Sequence, residues 1–229
     1  MTGGSTTPPR VVCLNGSENP GGATGAVLER FSDELRSRGV ESIVVPLASA
    51  DISGCGPCGD CNLRTEQCAL QDDVEEIVRQ MVEAEGVVYA SPVHGFGLAA
   101  PMQTFIERAG VGHLRFTRPL ADKVGGALVV GRRYAHSAVL NQLHQNILLN
   151  RMILPGSGYP AIVRTEQGDP DLDHEGMAAV RAMAIRMVEV IFQLRGTPSR
   201  NTGLAANERS EQAVRGEPER TETKRSVTP

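Results

Sequence analysis

The chain has 229 residues, 40% of them apolar and 22% charged, with a formal net charge of −4. That length and apolar content suit one α/β domain with a full core, and the acidic balance offers no basic footprint for nucleic acid. Trp is absent and aromatic residues make up only 3%, so stacking on any ligand must come from few side chains.

The opening MTGGSTTPPR has neither an apolar core nor a small-residue cleavage site. No stretch approaches the roughly eighteen apolar residues of a membrane span. The expectation is a cytoplasmic protein that enters no membrane, and in such a reducing compartment clustered cysteines are more often metal-binding or catalytic than disulfide-bonded. Residues 1–9 and 197–229 mix Pro, Ser, Thr, Gly and charges with few large apolar side chains. Nothing there offsets the entropy of ordering, so both are expected to be disordered tails around a folded unit spanning residues 10–196.

Within that unit, Arg10–Asn15 reads as a buried strand. Thr24–Arg38 follows as a helix with Val27, Leu28, Phe31 and Leu35 on one face and Gly39 as its stop. Ser42–Pro46 is a second strand. After a cysteine-rich loop at residues 54–69, Asp72 is placed as the N-cap and Glu75 as the capping-box partner of a helix burying Val74, Ile77, Val78, Met81 and Val82. Strand Gly86–Ala90, helix Ala100–Ala109, strand Val124–Gly131, helix Ser137–Met152 with Ser137 as its cap, a short strand near Ala161–Arg164 and helix Glu175–Leu194 complete the chain. Five strands alternating with helices predict a flavodoxin-like, doubly wound, five-stranded parallel sheet of order 2-1-3-4-5, helices on both faces. Ligands of such sheets bind at the strands' carboxyl ends, so the chemistry belongs in the loops after the first, third and fourth strands.

The first of these loops, Gly16–Thr24, runs from a strand into a helix N-terminus and carries hydroxyls on Ser17 and Thr24. Free N–H groups and the positive end of a helix dipole suit a phosphate. Gly16 and Gly21 have the Walker spacing, but Gly22 and Ala23 stand where that motif needs Lys and Ser or Thr, and no G-x-G-x-x-G occurs. A phosphomonoester fits better than a nucleoside triphosphate; an ordinary Gly-rich turn is the alternative. The loop after the third strand, Ser91–Ala99, offers Pro92, Val93, His94, Gly95 and Phe96 as a wall for a planar ring, with His94 either a proton-transfer group or a loop histidine satisfied by backbone. After the fourth strand, Gly131, Arg132, Arg133 and Tyr134 form either a phosphate-reading loop or an exposed charged turn.

Four of the five cysteines, Cys55, Cys58, Cys61 and Cys68, are spaced C-x2-C-x2-C-x6-C. Metal ligation, redox-active thiols and chance are the three explanations. Cys13, inside the first strand, reads as a small core residue. Asp72 and Asp73 open a helix and read as capping groups rather than a catalytic pair.

Taken together, NGSENPGGAT, SGCGPCGDCNLRTEQCALQDDVEEIV and GVVYASPVHGFGLAAPMQTFIERAG resemble the NADPH-dependent FMN reductase family, and the cysteine spacing is similar to its iron–sulfur flavoprotein branch. The resemblance implies FMN. Its phosphate would be held by Ser17, the backbone of Asn19 to Ala23 including Gly22, and Thr24. Its ring would lie against Pro92, Val93, His94, Gly95 and Phe96, with Gly131, Arg132, Arg133 and Tyr134 over the pyrimidine side. His94 and Gly95 depart from the family's usual Tyr or Trp, and Gln103 and Glu107 from its usual Lys and Asp.

The branch implies a 4Fe–4S cluster on Cys55, Cys58, Cys61 and Cys68, a ligand set that four thiolates in a compact turn can supply. Zinc and metal-free thiols are the alternatives. The implied activity is transfer of a hydride from NAD(P)H through FMN to a small acceptor such as a quinone, a nitro or azo compound, or free flavin. Alternatives are an electron relay between a ferredoxin-like partner and FMN, and a non-enzymatic redox sensor. Relatives of this kind form homodimers or homotetramers.

Overall fold

In β1 (Arg10–Asn15), Val12 and Leu14 enter one core while Val11 and Cys13 enter another. A run that is apolar on both faces is what a parallel strand covered by helices on both sides requires. β3 (Gly86–His94) repeats the division with Val87 and Tyr89 against Val88 and Ala90, and β5 (Val124–Gly131) with Ala127 and Val129 against Leu128 and Val130. This computed structural model describes residues 7–56, 68–115, 117–165 and 168–196.

With β2 (Glu41–Pro46) and β6 (Ala161–Arg164) at the edges, the parallel strands run in the order β2-β1-β3-β5-β6. This is the expected flavodoxin-like order with one addition. A two-residue strand, β4 (Gly97–Leu98), folds back antiparallel on the end of β3, pairing Leu98 with Val93 and Gly97 with His94. The sequence pattern predicted only a loop there. The reversal is made by Gly95 at φ 52° and Phe96 at φ 67°, the pair of left-handed residues that a tight hairpin matches to the strand twist.

One face of the sheet is covered by α1 (Ala23–Ser37) and α5 (His174–Leu194), through Val27, Leu28, Phe31 and Leu35 and through Met183, Met187 and Ile191. The other is covered by α2 (Val74–Glu83), α3 (Ala100–Ala109) and α4 (His136–Leu149). α3 runs on into a π-helical turn at Gly110–Leu114.

Two expected caps are corrected. α2 starts at Val74 with Asp73 in the cap position, and Asp73 instead accepts the Asp51 N–H at 2.7 Å. The Asp72 carboxylate does reach the Val74 N–H at 3.2 Å, but it is drawn mainly to a buried arginine described below. α4 begins at His136 rather than at a Ser137 cap, because Ala135 at φ 60° turns the chain sharply into the helix.

At the amino edge of the sheet, Glu85 accepts the Arg10 N–H at 2.8 Å and pairs with Arg195, which also donates to the carbonyl of Thr7. The approach to β1 and the end of α5 therefore meet beside the start of β3. No helix among the described residues is long and apolar enough to cross a membrane.

Candidate functional site

At the opposite, carboxyl edge, the loops after β1, β3 and β5 enclose a cleft of about 580 Å3, within the roughly 300–1,000 Å3 of small-molecule sites. Ser17, Asn19, Gly22, Ala23 and Thr24 form one wall, Pro92, Val93 and His94 a second, and Gly131, Arg132, Arg133 and Tyr134 a third. The sequence reading had grouped all of these. Two residues it grouped with them, Gly95 and Phe96, lie outside the lining, because the hairpin into β4 turns them away. Phe96 stacks instead on Tyr134, with ring centroids 4.4 Å apart and planes 27° from parallel, which ties the second wall to the third.

Val130 and Thr165 also line the cleft and were not foreseen. Thr165 follows β6 directly, and its N–H donates to the Gly131 carbonyl at 3.0 Å. Its place at a fourth strand's carboxyl end was the available signal.

The first wall is braced from beneath by another unforeseen residue, Asn15, the last of β1. Its Oδ1 accepts the Ser17 N–H at 3.1 Å and its Nδ2 donates to the Pro20 carbonyl at 3.2 Å. Ser17 Oγ accepts the Asn19 N–H at 3.2 Å and donates to the Asn19 carbonyl at 3.0 Å. A Cβ on Gly25 would sit 2.0 Å from the Pro20 carbonyl oxygen, so the turn closes this tightly only with glycine there. α1 opens on Gly22 with no side-chain cap and no acidic residue in its first turn, leaving its positive end available to an anion. At the rim, His94 Nδ1 lies 3.1 Å from Glu18 Oε1, joining the first wall to the second.

The cysteine loop follows β2, and its two ends meet Arg108 of α3 and the turn after that helix. Cys55 is exposed and Cys68 half-buried, both as free thiols; Cys58 and Cys61 lie outside the described residues. Among the described residues no cluster of three or more metal-ligating side chains forms. Cys13 is fully buried and burial pushes its thiol up to about 12, which suits the expected core role.

Sequence reasoning also missed Arg108, 2% exposed at the end of α3, which connects the loop's two ends. Its Nη1 donates to Asp72 Oδ2 at 2.6 Å and to the Ser53 carbonyl at 2.5 Å. Its Nη2 donates to Asp72 Oδ1 at 3.2 Å and to Cys68 Sγ at 3.8 Å. Burial alone would push the Asp72 carboxyl up, but hydrogen bonds from Arg108 and from the Val74 and Ser53 N–H groups outweigh it and hold the carboxyl below its ordinary value. Cys55 and Cys68 bound the segment that carries Cys58 and Cys61 in the sequence, and Ser53 and Cys68, near its two ends, both meet the Arg108 guanidinium.

A model of the NADPH-dependent FMN reductase family matches residues 9–167. The chain belongs to that family. Among this reductase-family protein's relatives, an iron–sulfur flavoprotein of Methanocaldococcus jannaschii is 30% identical over 192 residues, covering 80% of this chain and 97% of that one. An iron–sulfur flavoprotein of Archaeoglobus fulgidus is 32% identical over 170 residues, covering 71% and 74%. In fold, the chain is similar to RosB with a bound flavin-phosphate intermediate, at a TM-score of 0.70 and 16% identity over 96% of this chain and 95% of that one. The family makes this protein an FMN-dependent oxidoreductase with a flavodoxin-like fold.

Proposed function

We propose that the cleft holds FMN, with its phosphate on the β1–α1 loop and its ring between the β3 and β5 loops, and that the protein moves reducing equivalents from NAD(P)H to a small acceptor such as a quinone. The observation that carries this reading is the convergence, at the switch point of the sheet, of an uncapped helix N-terminus with a wall of Pro92 and Val93. Bound FMN supplies the hydride- and electron-carrying chemistry. Ser17 and Thr24 orient the phosphate and the N–H groups of α1's first turn bind it. Pro92 and Val93 give the ring an apolar floor. Arg132 and Arg133, exposed at the margin, bind the phosphates of the incoming dinucleotide, and the stacked Phe96 and Tyr134 hold that margin together.

Titration of flavin-stripped protein with FMN and FAD, followed by quenching of flavin fluorescence, tests this. FMN binds tighter than FAD, and Ser17→Ala with Thr24→Ala weakens it, each lost bond to a charged group being worth roughly 1.5–3 kcal/mol. Tighter FAD binding, or no flavin binding, overturns the reading. For the donor, Arg132→Ala with Arg133→Ala raises KM for NADPH more than for NADH, since only NADPH carries the extra phosphate. An equal rise for both removes these arginines from donor selection.

A second reading adds to the first: Cys55, Cys58, Cys61 and Cys68 hold a 4Fe–4S cluster that exchanges single electrons with a ferredoxin-like partner. The pinning of the loop's two ends on Arg108 favours it. Anaerobic iron, sulfide and zinc analysis of the wild type and of single Cys→Ser variants decides it. A cluster gives iron and sulfide that fall with each of the four variants and stay unchanged in Cys13→Ser. Zinc gives a colourless metal, and redox-active thiols give neither metal.

A further inference from the structure

The chain has three tyrosines, five phenylalanines and no tryptophan. Tyr89, Phe31 and Phe105 are buried in the cores. Phe96 and Tyr134 are 68% and 51% exposed, and they stack on one another at the margin of the cleft. Stacking covers one face of each ring, so their exposure leaves flat aromatic surface open to solvent beside the cleft, and such a surface is what a planar ligand stacks on.

Phe96 is held there against its own backbone preference. Its φ of 67° is left-handed, a region that a bulky residue rarely enters, and a ring this exposed gains little from burial. Strain of this kind concentrates at binding and catalytic positions. Gly95 at φ 52° and the pairing of β4 with the end of β3 fix the turn that carries Phe96. Ala135 at φ 60° fixes the chain immediately after Tyr134. The two rings are thus set before any ligand arrives, and a ligand that stacks on them loses little in ordering them.

The neighbours of the pair are cationic. Arg132 and Arg133 directly precede Tyr134, are exposed and line the same cleft. Glu18, at the rim, is engaged by His94. Gly131, before the arginines, packs so closely on the second wall that a Cβ on it would lie 3.0 Å from Val93. From the wall outward the loop therefore offers Val93, two guanidinium groups and a stacked aromatic pair. The same order of planar ring, phosphates and planar base runs along a nicotinamide dinucleotide.

We propose that the Phe96–Tyr134 pair is the platform for the adenine base of the incoming dinucleotide, with Arg132 and Arg133 holding the phosphates attached to its adenosine. Base–aromatic stacking tolerates any flat base, so the charge-assisted bonds to the phosphates supply the selection. The inference rests on the reading of the cleft as a site for FMN and NAD(P)H, and adds to it a subsite that binds the adenosine end by itself.

The test uses the full chain loaded with FMN and a probe that carries no nicotinamide, adenosine 2′,5′-bisphosphate, followed by calorimetry and by NMR of the adenine protons. The probe binds, its adenine protons shift upfield in the ring currents of the pair, and adenosine 5′-monophosphate binds more weakly. Phe96→Leu and, separately, Tyr134→Leu each weaken the probe by roughly tenfold and reduce the upfield shift, with FMN affinity and melting temperature kept. Phe96→Tyr and Tyr134→Phe, which keep a ring, retain both affinity and shift. Should one leucine variant not fold, the other and the two ring-keeping variants carry the comparison. Wild-type affinity and shift in the leucine variants, or a bisphosphate that binds no tighter than the monophosphate, overturns the inference. So does a flavin-loaded protein that takes up no probe, which leaves the FMN reading standing. A chain that binds no FMN overturns that reading and this inference with it.

Discussion

Asn15 links a strand to a binding loop with one amide, and its replacement separates the two. Asn15→Ala removes the bonds to the Ser17 N–H and the Pro20 carbonyl, at roughly 1 kcal/mol each. It is expected to weaken FMN binding by about tenfold or more while the fold survives, as read by flavin fluorescence beside a thermal melt. Asp72 gives a different signature. Its burial raises the carboxyl, but Arg108 and two backbone N–H groups hold the folded value below the ordinary one. Its contribution to stability is therefore complete above the unfolded value of about 3.9 and is lost as pH falls through the lowered folded value. Melts across an acid series are expected to show wild type losing stability below about pH 4, and Asp72→Asn, weaker at neutral pH by roughly 3–5 kcal/mol, showing a flatter acid limb. A parallel loss in both proteins would remove Asp72 from the acid response. Asn15 was not picked out in the sequence, and Asp72 was read there only as a helix cap. An asparagine ending a strand resembles any polar strand end, and the Asp72–Arg108 pair joins positions 36 apart that only the packing of α2 against α3 brings together.

The β1–α1 turn was the most legible part of the cleft, because strand, glycines, hydroxyls and helix follow one another along a continuous stretch of chain. The demand on Gly25 was not legible, since it depends on where the Pro20 carbonyl comes to rest. Gly25→Ala is expected to destabilise the protein by roughly 1–3 kcal/mol, as overpacking does, and to weaken FMN binding because the turn must open. An alanine variant with wild-type melting and affinity would show that the turn relaxes freely. The β3–β4 hairpin explains why Phe96 was assigned to the ring wall and found elsewhere. Its left-handed backbone aims the side chain at Tyr134, and a left-handed phenylalanine is a choice that sequence statistics disfavour. Tyr134→Ala breaks the stack, worth roughly 0.5–1.5 kcal/mol, and is expected to raise KM for the dinucleotide with little change in melting temperature. A large fall in melting temperature would instead make the pair a structural support.

The sheet order was readable because β1, β3 and β5 are apolar on both faces and helical patterns separate them, and crossover handedness leaves few arrangements for such a string. The cysteine loop was readable as a cluster of thiols and a candidate metal site, but its contacts with Arg108 and Gly112 were not, since these belong to α3 and the turn after it. The sheet also has a polarity with practical use. Thr7, Arg10, Glu85 and Arg195 gather at its amino edge, whereas the cleft opens at its carboxyl edge, one strand length of about 20 Å away. A tether attached beside either Thr7 or Arg195 would hold the molecule on an electrode or bead in one orientation, with the cleft turned toward the solution.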